Sequence, residues 1–129
     1  MTAKCRVLYV DDHEDSAFMF KHLLSLSDHE VTIAVTMKQA LTLAESEEFD
    51  LYVLDKRLPD GTGIDLCRRL NEITPDVPVI FYSGDVYETH RQEGLKAGAR
   101  AYIPKPAIDK LIETVHELLS QRECAAAPA

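Results

Sequence analysis

Residues 50–61 read Asp50-Leu51-Tyr52-Val53-Leu54-Asp55-Lys56-Arg57-Leu58-Pro59-Asp60-Gly61. Four consecutive apolar residues, opened and closed by aspartate, predict a short strand buried on both faces. The proline and the glycines at 61 and 63 predict a loop over 56–63. A strand that shows no polar face belongs inside a parallel sheet, between layers of helix.

The flanking sequence repeats this unit. Upstream, residues 4–10 form an apolar, β-branched and aromatic run that ends on Asp11-Asp12. Helical spacing follows from Asp15 to Ser27 with Phe20, Leu23 and Leu24. Asp28-His29-Glu30 is a polar break, and Val31–Val35 a second strand. Thr36 is placed to cap a helix that carries Ala40, Leu41 and Ala44 and ends near Glu48. Downstream of the loop, Leu66, Cys67, Leu70 and Ile73 mark an amphipathic helix over 64–73, stopped by Thr74-Pro75. A fourth strand runs over 77–82, with Pro78 near its start. The next helix, from about Val86 to Ala97 and closed at Gly98, is the least apolar of the set. A short strand at 101–103, the rigid Pro104-Lys105-Pro106 and a last amphipathic helix over 108–119 complete the pattern. The order is β-α five times: an α/β fold whose central five-stranded parallel sheet is covered on both faces.

Composition narrows the function classes. The chain has 129 residues, 46% of them apolar, which fits one domain with a core. A formal net charge of −8 disfavours direct binding to nucleic acid or to an anionic membrane surface. No apolar run approaches the roughly 20 residues of a membrane span, and the first residues do not read as a signal segment, so a cytoplasmic protein is expected. The three cysteines, Cys5, Cys67 and Cys124, suggest neither a disulfide framework nor a metal site, and Cys5 and Cys67 read as buried hydrophobes. No two of the five histidines have metal-ligand spacing. The expected domain is 4–121, with 122–129 a tail or the start of a linker.

In an open α/β sheet, ligands bind beyond the carboxyl ends of the strands. Asp11 and Asp12 follow the first strand, Asp55 the third, Ser83 the fourth and Lys105 the fifth. Three carboxylates in one cleft need a counter-ion, and hard oxygen ligands suit Mg²⁺. With a lysine and a hydroxyl beside them, the set has what phosphoryl transfer to a carboxylate requires.

Taken together, Asp11-Asp12, Asp55 with Leu58-Pro59-Asp60-Gly61 behind it, Ser83-Gly84, and Tyr102 with Lys105-Pro106 resemble a response-regulator receiver domain over about residues 5–121. The resemblance implies a flavodoxin-like doubly wound fold and a role for each of these residues. Asp55 would be the phospho-acceptor. Asp12 would bind Mg²⁺ directly, Asp11 mostly through water, and Arg57 through its backbone carbonyl. Ser83 and Lys105 would hold the phosphoryl oxygens. Tyr102 would be the switch aromatic, turning inward as Ser83 moves. The Lys105-Pro106 bond would be cis. The implied donor is a sensor histidine kinase or a histidine phosphotransfer protein. The implied output is a downstream protein docked on the 86–121 surface, the receiver itself being a monomer or weak dimer.

Some residues depart from this pattern. Lys56 stands where an apolar residue is usual, and strand alternation would send its side chain to solvent. Arg57 and Asp85 would pair across the cleft and slow hydrolysis of the phosphorylated state. His13 has the ordinary reading of a solvated loop residue, at most touching the rim. Taken singly, Asp11-Asp12 could be a helix-start acid pair, and Tyr102 plain core. A rival from another class is a Mg²⁺-dependent aspartyl-phosphate phosphatase; it would need an acid two residues after the nucleophile, where this chain has Arg57. A receiver that only docks, and a receiver cut from a hybrid kinase or a transcription regulator, are the remaining alternatives.

Overall fold

The computed structural model describes residues 4–84 and 87–121. Its main sheet contains β1 (Arg6–Val10), β2 (Glu30–Ala34), β3 (Leu51–Leu54), β6 (Val79–Ser83) and β7 (Ala101–Pro104). The strand order is β2-β1-β3-β6-β7, and every pairing is parallel. The helices are α1 (Glu14–Ser25), α2 (Met37–Ser46), α3 (Gly63–Ile73), α4 (Glu88–Lys96) and α5 (Ile108–Ser120). This is the doubly wound architecture expected from the strand pattern. The segment 122–129, expected to be a tail or linker, lies outside the described residues.

Alternation along β3 shows why this strand carries no polar face. Leu51 and Val53 join one apolar layer with Tyr9, Phe20, Leu24 and Leu111, supplied by β1, α1 and α5. Tyr52 and Leu54 join the opposite layer with Leu41, Leu66 and Leu70 of α2 and α3. Each side chain of β3 is buried, on whichever face it points. Burial of this kind contributes about 2 kcal/mol for each large aliphatic side chain.

Several local expectations hold. The Thr36 side chain accepts from the Gln39 N–H at 3.0 Å, capping α2. Gly98 adopts φ +112 just after α4, the left-handed conformation that glycine reaches without strain. The fourth main-sheet strand begins at Val79 rather than 77. Pro78 has no N–H to give the ladder, but its carbonyl accepts from Tyr52 at 3.0 Å.

Two findings differ from the sequence reading. The 56–63 segment is not all loop: β4 (Arg57–Leu58) and β5 (Gly61–Thr62) pair antiparallel around Pro59-Asp60. Cys5 is buried as expected but is also engaged in a disulfide, which an odd cysteine count at wide spacing does not announce. Cys67 is a buried free thiol.

Candidate functional site

The carboxyl ends of β1, β3, β6 and β7 bring the predicted groups to one rim of the sheet. The pairing registers align Val10 with Leu54 and Ser83 with Pro104. Asp11 and Asp55 therefore lie side by side, and Lys105 follows the strand next to Ser83. A cleft of about 660 Å³ opens here, lined by His13, Ser16, Asp55, Arg57, Ser83, Gly84, Tyr87 and Lys105.

Charge organises its floor. Lys105 Nζ donates to Asp11 Oδ2 at 2.7 Å and lies 3.4 Å from Asp55 Oδ2. Asp11 and Asp55 are buried, whereas the Asp12 carboxylate is partly exposed. One oxygen each from Asp11, Asp12 and Asp55, with a ring nitrogen of His13, lie within 4.8 Å of one another. The Lys56 N–H donates to Asp55 Oδ1 at 2.7 Å, and the Lys105 N–H donates to the Ser83 carbonyl at 2.8 Å.

The two buried acids are held differently. Burial pushes Asp55 above the ordinary carboxylate range; Lys105 only partly offsets it, and the charge of Asp11 adds to it. Burial also works to raise Asp11, but hydrogen bonds from Lys105 and from the amide and ring of His13 outweigh it and hold it low. Lys105 is pulled down by burial, yet the hydrogen bond to Asp11 and the two negative charges lift it above its usual value. Three carboxylates around one lysine leave an excess of negative charge in a half-enclosed cleft. That donor set of hard oxygens fits a small divalent cation.

Tyr102 is buried. Its ring lies 5.7 Å from that of Phe81, and a Cβ on Gly94 of α4 would come within 3.1 Å of both rings. The Lys105–Pro106 peptide is cis, as the resemblance implied. Asp60 holds two elements together. Its two carboxylate oxygens accept the Met37 and Lys38 N–H groups at 2.7 and 3.0 Å, tying the β4–β5 turn to the start of α2.

Three residues differ from what the sequence suggests. Lys56 is buried, not solvated. The chain leaves the strand at Leu54, so two-residue alternation does not continue to position 56. His13 is an exposed residue whose ring nevertheless turns to the acids, with Nδ1 2.7 Å from Asp11 Oδ1. Tyr9 belongs to the site although nothing in the sequence reading singles it out. Its hydroxyl donates to Asp11 Oδ2 at 3.0 Å, and the i, i+2 relation along β1 is the available signal. Burial, then the Asp11 charge, pushes its phenol up far enough to keep it protonated. Arg57 lines the cleft; its expected partner Asp85 lies outside the described residues.

Comparison with known proteins places this architecture. The response regulator receiver domain model matches residues 7–116, and the chain belongs to that family. The response regulator MprA of Mycolicibacterium vanbaalenii is 33% identical over 115 residues, which cover 88% of this chain and 50% of that protein. The sensory/regulatory protein RpfC of Xanthomonas campestris is 30% identical over 129 residues, or 96% of this chain and 18% of that protein. The chain therefore spans about half the length of the one relative and under a fifth of the other. A CheY-like response regulator receiver domain protein from Methanospirillum hungatei superposes with a TM-score of 0.87 at 32% identity, covering 92% of this chain and 96% of that one. Receiver domains are signalling modules of two-component systems and in general bind Mg²⁺ at an acidic cluster such as the one described above. No helix among the described residues is long and apolar enough to cross a membrane.

Proposed function

We propose that Asp55 accepts a phosphoryl group from a phosphohistidine of a sensor histidine kinase or a histidine phosphotransfer protein. The observation that carries this reading is the Asp55 carboxylate itself, buried at a strand end with Lys105 Nζ at 3.4 Å and two further acids beside it. In the transfer, a carboxylate oxygen of Asp55 forms the new bond to phosphorus as the phosphorus–nitrogen bond breaks. The electron pair of that bond stays on the departing imidazole.

Asp11, Asp12, Asp55 and the Arg57 carbonyl are the ligands we assign to Mg²⁺. When bound, the ion neutralises charge on the transferring phosphoryl oxygens. Lys105 supplies the second positive charge, and the Ser83 hydroxyl a hydrogen bond. Phosphorylation adds about −1.5 to −2 charges and new acceptor oxygens. Ser83 and Lys105 are drawn to them, and the β6 end, α4, β7 and Tyr102 respond as the switch. The surface of α4, β7 and α5 is the docking face for a downstream protein.

Residues 4–121 are the receiver unit in this reading, working in the cytoplasm as a monomer or weak dimer. Relatives twice or more as long favour a further output or kinase region in the whole protein.

The test is intact mass after incubation with Mg²⁺ and acetyl phosphate, with Asp55→Asn alongside. A gain of one phosphoryl group that requires Mg²⁺ and vanishes in the variant is the expected result. No gain with Mg²⁺ binding intact means a docking-only receiver. No gain and no Mg²⁺ binding removes the mechanism altogether.

A further inference from the structure

The side chain least expected at the acid cluster is His13. Its Nδ1 stands 2.7 Å from Asp11 Oδ1, 3.4 Å from Asp12 Oδ1 and 3.5 Å from Asp55 Oδ2. One ring nitrogen thus faces all three carboxylates. The His13 main-chain N–H donates to the same Asp11 oxygen at 2.9 Å, so the residue is fixed to the cluster at two points. The side chain is 65% exposed; burial does not hold the ring in this orientation, and attraction to the acids does. Where an imidazole shares a focus with three carboxylates, a divalent ion meets a mixed nitrogen–oxygen donor set rather than an all-oxygen one.

We propose that His13 is a further ligand of the cation held by Asp11, Asp12 and Asp55, and that it biases this site toward a nitrogen-accepting ion such as Mn²⁺ over Mg²⁺. The proposal rests on the receiver reading of the acid cluster. Mg²⁺ prefers oxygen ligands and retains its waters, so an imidazole adds little to its binding. First-row transition ions accept imidazole nitrogen readily, and their affinity for such a site rises along the series from Mn²⁺. On binding, Nδ1 gives its lone pair to the ion, any proton it carried leaves to solvent, and the remaining ring proton sits on Nε2. His13 would then set which ion the receiver carries when both are present, leaving Asp55 chemistry to the groups already assigned.

Mn²⁺ is the probe. Pulsed electron paramagnetic resonance of the Mn²⁺-loaded chain should show coupling to a directly bound ¹⁴N, replaced by ¹⁵N coupling when the protein is made with ¹⁵N-histidine. In His13→Asn that coupling should vanish. Titration calorimetry should show Mn²⁺ affinity falling by roughly tenfold with Mg²⁺ affinity nearly unchanged. Mn²⁺ bound without nitrogen coupling overturns the role of His13 and leaves the acid cluster as the metal site. An unchanged Mn²⁺ to Mg²⁺ affinity ratio in the variant also overturns it. Failure of both ions to bind removes the His13 proposal together with the Mg²⁺ site on which it rests.

Discussion

At the scale of single residues, Asp55 is a buried carboxyl whose surroundings work against its ionisation. Burial and the Asp11 charge raise the Asp55 carboxyl above the ordinary carboxylate range. A carboxyl whose folded value exceeds the unfolded one loses stability on ionising. That cost is absent below the unfolded value and complete above the folded one. Asp55→Asn should therefore raise the melting temperature near neutral pH in EDTA. The gain should shrink as the pH falls through the raised value and disappear toward the unfolded one. Thermal unfolding followed by circular dichroism over that range checks it, and a pH-independent difference would refute the cause given. Much of the site was legible in the sequence at this scale, because each acid, Ser83 and Lys105 falls where an apolar run stops. His13 was not legible, because its orientation is set by charges from Asp11, Asp12 and Asp55, which only the folded chain brings together.

At the scale of elements, α3 is pressed against the end of β3. The N–H of Gly63, its first residue, donates to the Lys56 carbonyl at 2.7 Å. A Cβ there would lie 2.2 Å from the Asp55 carbonyl oxygen and 2.8 Å from Phe81 Cε1. Backbone cannot yield as a flexible side chain can. Gly63→Ala should cost about 3 kcal/mol in urea denaturation, at the upper end for overpacking. It should also slow phosphoryl gain from acetyl phosphate, since relief of the clash shifts Asp55. A variant with unchanged stability and rate would show that α3 slides freely past Asp55. The strands, the Thr36 cap and the Gly98 stop were readable because each has a sequence period or a residue with a special conformation. The β4–β5 hairpin was not, for two-residue strands are too short to show any period.

For the whole molecule, the proposed cation would link metal binding to folding. An ion bound by the folded cleft and not by the unfolded chain stabilises it by RT ln(1 + [L]/Kd). Above the dissociation constant, each tenfold rise in Mg²⁺ should add about 1.4 kcal/mol, seen as a melting temperature climbing with the logarithm of concentration. Asp12→Ala should flatten that climb. A flat line in the unaltered protein would deny the cleft its cation. The topology was readable because chain order and crossover handedness leave few arrangements of five β-α units. The lining of the cleft was not, since Ser16 and Tyr87 reach it from separate elements that only the folded chain brings together.

The opposite rim of the sheet has a different character. The cleft between the end of α2 and the turn after α3, lined by Glu45, Phe49, Pro75 and Val77 among others, lies at the amino ends of the strands. None of the residues assigned to phosphoryl chemistry reaches it. The molecule thus comes with a handle: a fluorophore, a surface tether or a fused reporter attached at Glu45 would ride on the same rigid sheet while leaving the reactive rim clear, so the receiver can be instrumented from behind.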